Sequence, residues 1–226
     1  MNQSFDTDES PIRVSETKDR ILDSAESLFA EHGFATTSLR QITTEAGVNL
    51  AAVNYHFQSK DSLILAVLMR KLEPINRRRL ELLDEVEAEA GEDPLSLEAV
   101  LGAFLLPVVE AKAAGLQMST FPRIMGRMYT EPGDWMARIF PQAFAPVVAR
   151  FQMAFQRALP GASAVEVGWG MHFSIGAMAH YLAGGTLLRL VSQGQVDPTD
   201  SSGALPRLVA YMAAGLRALA QQKGGV

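Results

Sequence analysis

The sequence predicts an all-α fold, and two patterns lead to this prediction. Apolar residues recur mostly at the three- and four-residue spacing of helices, and no stretch shows the strict alternation typical of a strand. In addition, 48% of the 226 residues are hydrophobic and only 20% are charged. Such a chain can bury a sizeable core. We therefore expect one or two helical domains rather than a disordered polypeptide.

The N-terminal part predicts a flexible tail over residues 1–14 and a first helix over residues 17–32 that Gly33 ends. A second short helix follows, because Ser38 and Gln41 have the spacing of a capping box.

Asn49 can cap a third short helix over residues 50–57. Gly47 turns the chain between the second and third helices. A short helix, a tight turn with glycine and a second short helix form a helix-turn-helix arrangement.

The rest of the chain continues as helices interrupted by proline and glycine. Ser59 can cap a long fourth helix, which we expect Pro74 to kink or break. The remaining helices are predicted over residues 95–114, 119–129, 134–159 (interrupted by Pro141 and Pro146), 163–191 and 205–221. Polar loops are expected at residues 91–94 and 192–203. The predicted domains are the tail 1–14, a helix-turn-helix domain 15–62 and a larger helical domain 63–226.

Charge and targeting patterns narrow the class of protein. The net charge is −5, yet residues 12–79 carry ten basic and eight acidic residues, which permits binding to DNA. The polar, acidic N-terminus lacks the features of a signal peptide. Residues 167–188 have no charged side chain but contain two histidines and five glycines, which favours a buried helix over a membrane span.

Cysteine is absent from the sequence, which fits a reducing compartment. We therefore expect a cytoplasmic protein.

The third helix has the features of a helix that reads base edges. Small and apolar side chains let a backbone approach the bases, and Asn54 can pair bidentately with adenine. Hydroxyl, imidazole and ammonium groups at the start of the second helix and at the end of the third helix can hold phosphates. The predicted DNA-binding residues are Thr37, Ser38, Arg40, Asn49, Leu50, Ala51, Asn54, Tyr55, His56 and Lys60.

These motifs together resemble the DNA-binding domain of the TetR family of bacterial repressors over about residues 16–65. The matching residues are Leu28-Phe29-Ala30, Gly33-Phe34, Thr37-Ser38, Ile42, Ala46-Gly47-Val48, Tyr55-His56-Phe57 and Ser59-Lys60. One departure is Asn54, where the family often has an aromatic residue. The resemblance implies a repressor with a helical C-terminal domain that binds an effector and dimerises through its last two helices. A dimer would place two such modules on a near-palindromic DNA operator.

The C-terminal part is rich in aromatic residues and methionine. Residues 91–226 hold twelve of the seventeen aromatic residues and eight of the ten methionines. Helices broken by proline can leave space for a small hydrophobic molecule, although a methionine-rich core explains the same composition. The predicted ligand-binding residues are Phe104, Met118, Phe121, Met125, Arg127, Met128, Phe144, Trp169, His172 and Phe173.

The resemblance extends to the nature of the effector. The recognition segment looks most like the fatty-acid-responsive, PsrA-type branch, which implies a long-chain fatty acid or acyl-CoA. Arg123, Arg127 and His172 are the candidates for holding its head group. The alternative is a regulator of an efflux or catabolic operon that responds to an aromatic or drug-like effector.

Small residues in the last two helices allow close helix packing. The predicted dimer interface consists of Gly176, Ala179, Ala183, Leu208, Met212 and Leu216. The alternative is that these two helices pack together inside one subunit.

Other classes of protein have little support in the sequence. The four histidines lack the spacing of a metal site, and no arrangement of nucleophile, base and acid is visible. We expect no enzymatic activity, no cofactor and no metal. A DNA-binding architectural protein without an effector is a second alternative, against which the large apolar C-terminal domain argues.

Overall fold

The computed structural model describes residues 11–114, 120–198 and 203–221, with side chains from residue 15 onward. Every regular element in these residues is a helix, which confirms the all-α prediction. The helices are α1 Pro11–His32, α2 Leu39–Ala46, α3 Leu50–Phe57, α4 Lys60–Ala90, α5 Leu97–Ala113, α6 Phe121–Thr130, α7 Trp135–Ala143, α8 Ala145–Ala158, α9 Ala164–Ala183, α10 Gly185–Val191 and α11 Ala204–Gln221.

The chain divides into two compact units, and the first is discontinuous in sequence. It contains the chain up to Arg70 together with Arg123–Ile139. The second contains Lys71–Pro122 and the chain from Phe140 onward. The expected boundary after residue 62 thus falls inside α4, and the first unit includes a segment that sequence spacing did not assign to it.

The first unit has an aromatic core beneath α1, α2 and α3. Phe29 and Phe34 are fully buried, with ring centroids 5.4 Å apart. Trp135 of α7 extends this cluster and lies 5.3 Å from the Phe34 ring. Val53 and Phe57 bury the inner face of α3. These contacts orient α3 so that its opposite face is exposed.

The second unit has a larger core, in which α5, α8, α9 and α11 pack together. Phe104, Phe151 and Phe155 are buried at its centre. Gly170 of α9 faces Leu216 of α11, and a β-carbon at this position would collide with the leucine. Glycine therefore lets these two helices approach closely without displacing the Leu216 side chain.

Several predicted element boundaries are wrong. Residues 11–14 belong to α1 rather than to a flexible tail, and residues 1–10 lie outside the described part. Of the two outcomes predicted at Pro74, a kink or a break, the break does not occur, because α4 continues through it as one helix. The helix predicted over residues 134–159, with interruptions at Pro141 and Pro146, does divide into α7 and α8, and the division lies at Phe144 between these two prolines. The predicted helix 163–191 divides at Gly184.

Within the described residues, no helix is long and apolar enough to cross a membrane. The charge-free stretch of residues 167–188 instead spans most of α9, the break at Gly184 and the start of α10.

Candidate functional site

The two short helices of the first unit are held by side-chain caps at their starts. The Ser38 hydroxyl accepts a hydrogen bond from the Gln41 main-chain nitrogen at 3.2 Å, and the Gln41 carboxamide oxygen accepts one from the Ser38 nitrogen at 2.7 Å. Asn49 caps α3 by accepting from the Ala52 nitrogen at 2.8 Å. Gly47, at φ 63°, turns the chain between α2 and α3. The predicted helix-turn-helix is confirmed.

Arg20 of α1 stabilises the turn between α2 and α3 by hydrogen bonds. Its guanidinium donates hydrogen bonds to the carbonyl oxygens of Ala46 and Gly47, the second at 3.2 Å. These carbonyls stand at the end of α2, where the helix dipole favours a positive charge. The contact holds the end of α2, and hence the start of α3, against α1.

The outer face of α3 is exposed and has a mixed polar and apolar character. Leu50 is 43% exposed and Tyr55 is 75% exposed, whereas Val53 on the opposite face is 1% exposed. Ala51 and Asn54 are exposed beside them. A short capped helix with such a face can enter the major groove and place an amide and methyl groups at base edges.

The predicted DNA-binding residues differ in their accessibility. His56 and Lys60 are half-buried, and one residue, Thr37, is buried. Those with exposed side chains are Ser38, Arg40, Asn49, Leu50, Ala51, Asn54 and Tyr55.

The prediction that Thr37 holds a phosphate is corrected by its surroundings. The side chain is 1% exposed, and its hydroxyl donates to the main-chain oxygens of Gly33 at 2.7 Å and Leu28 at 3.2 Å. Thr37 therefore stabilises the connection between α1 and α2. Ser38 and Asn49 also have structural roles as caps, although both stay exposed.

Lys60 begins α4 beside two acidic side chains. Burial lowers the pKa of its ammonium group, and the negative charges of Asp61 and Glu131 partly oppose this change. Asp61 itself pairs with Arg138 of α7. Lys60 thus lies in a network of charges within the first unit.

Taken together, the three-helix unit and the exposed face of α3 define a helix-turn-helix DNA-binding protein. Residues 21–67 match the family "Bacterial regulatory proteins, tetR family", and residues 102–215 match the family "Tetracyclin repressor-like, C-terminal domain". The second match covers half of the chain, so the chain belongs to the TetR family of transcription regulators.

Individual relatives agree with this assignment over part of their length. The regulator AcrR of Shigella flexneri is 38% identical over 98 residues, which are 43% of this chain and 42% of AcrR. The repressor KstR2 of Mycolicibacterium smegmatis is 27% identical over 97 residues, which are 43% of this chain and 44% of KstR2. The match thus spans less than half the length of these curated relatives.

Solved structures share the fold over nearly the whole chain. NalD, the secondary repressor of the MexAB-OprM multidrug efflux pump in Pseudomonas aeruginosa, has a TM-score of 0.58 and 23% identity. The alignment covers 89% of this chain and 97% of NalD. A complex of SmeT with triclosan has a TM-score of 0.56 and 20% identity, covering 86% of this chain and 90% of SmeT. At these identities the likeness concerns the fold alone.

A clamp from α6 and the loop after it holds the end of α1, and sequence reasoning missed it. The Glu131 carboxylate accepts from the main-chain nitrogens of Phe34 at 2.8 Å and Ala35 at 3.2 Å. Arg127 donates to the carbonyl oxygens of Ala30 at 3.2 Å and Glu31 at 2.6 Å, and to Glu131 at 2.9 Å. No local pattern points to these contacts, because the partners are about 97 positions apart.

The clamp corrects the prediction that Arg127 holds the head group of a ligand. Its guanidinium is already engaged by two carbonyl oxygens and by Glu131 in the first unit. Arg123, the other arginine proposed for this role, is exposed.

The other predicted ligand-binding residues belong to both units. Phe104 is packed in the core of the second unit, 5.1 Å from the Phe151 ring, and Met128 is buried in the first unit. Phe121 and Phe144 are half-buried in the second unit, while Met125 is half-buried in the first. Met118 lies outside the described residues.

A cavity of about 1420 Å³ lies among α5, α9, α10 and α11 of the second unit. His172 and Phe173, two of the predicted ligand-binding residues, line it. Trp169 is stacked on Phe173 at 5.5 Å and is 55% exposed, but it does not line the cavity. Sequence reasoning missed two polar residues of this cavity, Lys112 and Tyr181, which no motif marks.

The residues predicted for a dimer interface fall into two groups. Met212 and Leu216 are buried in the core of the protomer itself, as the alternative of helices packed inside one subunit requires. Gly176, Ala179 and Ala183 are exposed along α9, and Leu208 is half-buried. An exposed α9 face that includes Val165, Trp169 and Phe173 is available for a partner.

Proposed function

We propose that this TetR-family regulator is a homodimeric repressor that binds a near-palindromic operator and is released by a small hydrophobic effector. The observation that carries the proposal is the exposed face of α3, with Leu50, Ala51, Asn54 and Tyr55 on a helix capped at Asn49. Exposed apolar and aromatic side chains on a short helix are suited to contacts with base edges in the major groove.

Recognition would divide between base and phosphate contacts. Asn54 is suited to adenine, and Leu50 and Ala51 are suited to the methyl group of thymine. Arg40, Tyr55 and the half-buried Lys60 would contact phosphates and so orient the helix in the groove. A single α3 offers a small interface, so two copies on one DNA molecule are expected.

The proposed dimer rests on the exposed face of α9. Val165, Trp169 and Phe173 follow each other at four-residue intervals and are 68%, 55% and 56% exposed. Residues at this spacing form one stripe on a helix. Exposing a stripe of large apolar side chains to water costs free energy, so such a stripe marks a surface that a partner covers.

The chemical class of the effector has two candidates. The long-chain acyl ligand of the PsrA-type branch stays a prediction from the recognition segment. The efflux alternative is supported by two of the similar structures, NalD, described as a repressor of a multidrug efflux pump, and SmeT, described in complex with triclosan. An effector changes DNA binding only through a difference in its affinity for two conformations.

The proposal is tested by selection from a pool of random duplex DNA with the full-length protein. We expect enrichment of a near-palindromic sequence, bound by a dimer. In Asn54→Ala, affinity of the dimer for that sequence should fall by about thirtyfold or more, because one bidentate contact is lost in each half-site, and discrimination should relax at a single base position in each half-site.

Gln152→Ala, which removes an exposed amide from α8, is the matched control and should bind as the native protein does. Failure to enrich any sequence would contradict the repressor proposal and favour an architectural protein that binds all DNA alike. Tight binding of a lone half-site by a monomer would contradict the dimer.

A further inference from the structure

Gly33, which follows the last residue of α1, makes room for an ion pair from a distant part of the chain. Its φ is 96°, a conformation that residues with a β-carbon rarely adopt. A β-carbon at this position would collide with the Glu131 carboxylate and lie 2.7 Å from a nitrogen of the Arg127 guanidinium. Glycine therefore provides the contact surface for this pair as well as the turn after α1.

Arg127 occupies the carboxyl end of α1, where a helix leaves its last carbonyl oxygens without partners inside the helix. Its guanidinium donates to the carbonyl oxygens of Ala30 at 3.2 Å and Glu31 at 2.6 Å. The helix dipole also favours a positive charge at this end. Arg127 thus caps α1, although it lies 97 positions after Ala30 in the sequence.

Glu131 binds the turn between α1 and α2. One of its carboxylate oxygens accepts from the main-chain nitrogens of Phe34 at 2.8 Å and Ala35 at 3.2 Å, and the other accepts from the guanidinium of the ion pair at 2.9 Å. The chain then reaches Ser38, which caps α2, and Arg40, which is exposed in the first turn of that helix. The turn that Glu131 holds therefore determines where α2 and its predicted phosphate contacts begin.

The same segment, residues 123–139, also holds the start of α4. Trp135 packs on the buried ring of Phe34, and Arg138 pairs with Asp61 in the first turn of α4. This segment belongs to the first unit, yet it lies outside residues 21–67, which match the N-terminal family. The helix-turn-helix is thus held on both sides by residues from outside that match.

We propose that Arg127 and Glu131 are positioning residues for DNA binding. They fix the turn that brings the predicted phosphate contacts of α2, Ser38 and Arg40, into register with the exposed face of α3. The inference rests on the proposed function and adds to it two residues from outside the helix-turn-helix. Phosphate contacts orient a protein on DNA and carry no sequence information, so loss of the pair should weaken binding to all operator variants alike.

The test measures the affinity of full-length variants for the enriched operator by fluorescence anisotropy. Glu131→Ala and Arg127→Met should each bind about tenfold more weakly. Each protomer of the proposed dimer then has to order a loosened turn on binding, and a cost of about threefold in each protomer multiplies to about tenfold. In the double variant the affinity should again fall by about tenfold rather than about a hundredfold, because the two side chains act as one unit.

Two further readouts separate positioning from a general loss of stability. The ratio of affinities for the operator and for its single-base variants should stay native, whereas Asn54→Ala relaxes it. Glu131→Gln should bind with an affinity between those of Glu131→Ala and the native protein, because its amide oxygen can still accept from both main-chain nitrogens. Circular dichroism and sedimentation velocity should show a folded dimer for every variant.

The matched control is the double variant Arg78→Met/Glu81→Ala, which removes an exposed ion pair of α4 and should bind the operator as the native protein does. Native affinity in both single clamp variants would overturn the inference, and so would a change of base preference in them. An affinity loss confined to variants that have lost helical structure would assign the pair to stability alone and also overturn it. If the native protein itself binds no operator, the proposed function fails together with this inference, whereas native binding that the clamp variants retain contradicts the inference alone.

Discussion

At the scale of single residues, the important contacts join side chains to main-chain groups far away in the sequence. Glu131 accepts from two consecutive main-chain nitrogens, those of Phe34 and Ala35, and its side chain is 15% exposed. Hydrogen bonds to a charged group are about twice as strong as neutral ones. This carboxylate therefore stabilises the turn that precedes the helix-turn-helix.

Removing that carboxylate should loosen the turn. In Glu131→Ala the amide protons of Phe34 and Ala35 should exchange about tenfold faster, because each loses its acceptor. Hydrogen exchange read by mass spectrometry or NMR provides the measurement. Glu92→Ala, which alters an exposed glutamate in a loop, is the control. Unchanged exchange at residues 34–35 would show that the clamp contributes no local stability.

At the scale of elements, the helix caps were predictable and the effect of proline was not. The predicted capping box at Ser38 forms, and a second one, which the sequence analysis did not single out, forms at Ser163; in both, a serine and its partner three residues later define the box. Pro74 does not end α4, because its ring is exposed and the flanking residues Leu72 and Ile75 are buried. Tertiary packing compensates for the hydrogen bond that proline cannot donate.

We propose Pro74 as the place where an effector would bend α4, because proline leaves one helical hydrogen bond unmade there. Pro74→Ala should raise the melting temperature, because alanine restores a helical hydrogen bond. Inside a helix, alanine is also intrinsically more favourable than proline, by up to about 3 kcal/mol. It should also reduce the effect of an effector on operator affinity, measured by fluorescence anisotropy. Glu73→Ala changes the neighbouring exposed residue and is the control. Normal release from DNA in Pro74→Ala would remove this hypothesis.

At the scale of the whole molecule, the proposed assembly is a dimer through α9. Gly176 is exposed on this helix, and a β-carbon built on it would meet no atom within 4 Å in the protomer. A larger residue there therefore fits the single chain and even favours its helix. It would obstruct a partner helix packed closely against α9.

Gly176→Leu should accordingly weaken the dimer while leaving the fold intact. Sedimentation velocity at decreasing concentration should show monomers at concentrations where the native protein is dimeric, with an unchanged circular dichroism spectrum. Gly126→Leu replaces an exposed glycine of α6 that is equally uncrowded, and it should stay dimeric. A native sedimentation coefficient for Gly176→Leu would count against an interface at α9.

The sequence by itself determined the all-α fold, the helix-turn-helix and the outer face of α3. These features depend on neighbours three or four residues apart, such as Ser38 with Gln41 or Val53 with Phe57, and helical periodicity makes such neighbours visible in the sequence. The same reasoning placed Thr37 among the phosphate contacts, since it could not show that two carbonyl oxygens bury its hydroxyl.

Only the tertiary structure decided which distant residues meet. It assigned Arg127 to the carbonyl oxygens of α1, placed Phe104 in a core, and brought Lys112 to the ring of Tyr181, 69 positions away. Contacts between helices depend on crossing angles and side-chain packing over the whole chain, which the spacing of residues does not encode. The cavity and the clamp consequently became visible only once the helices were assembled.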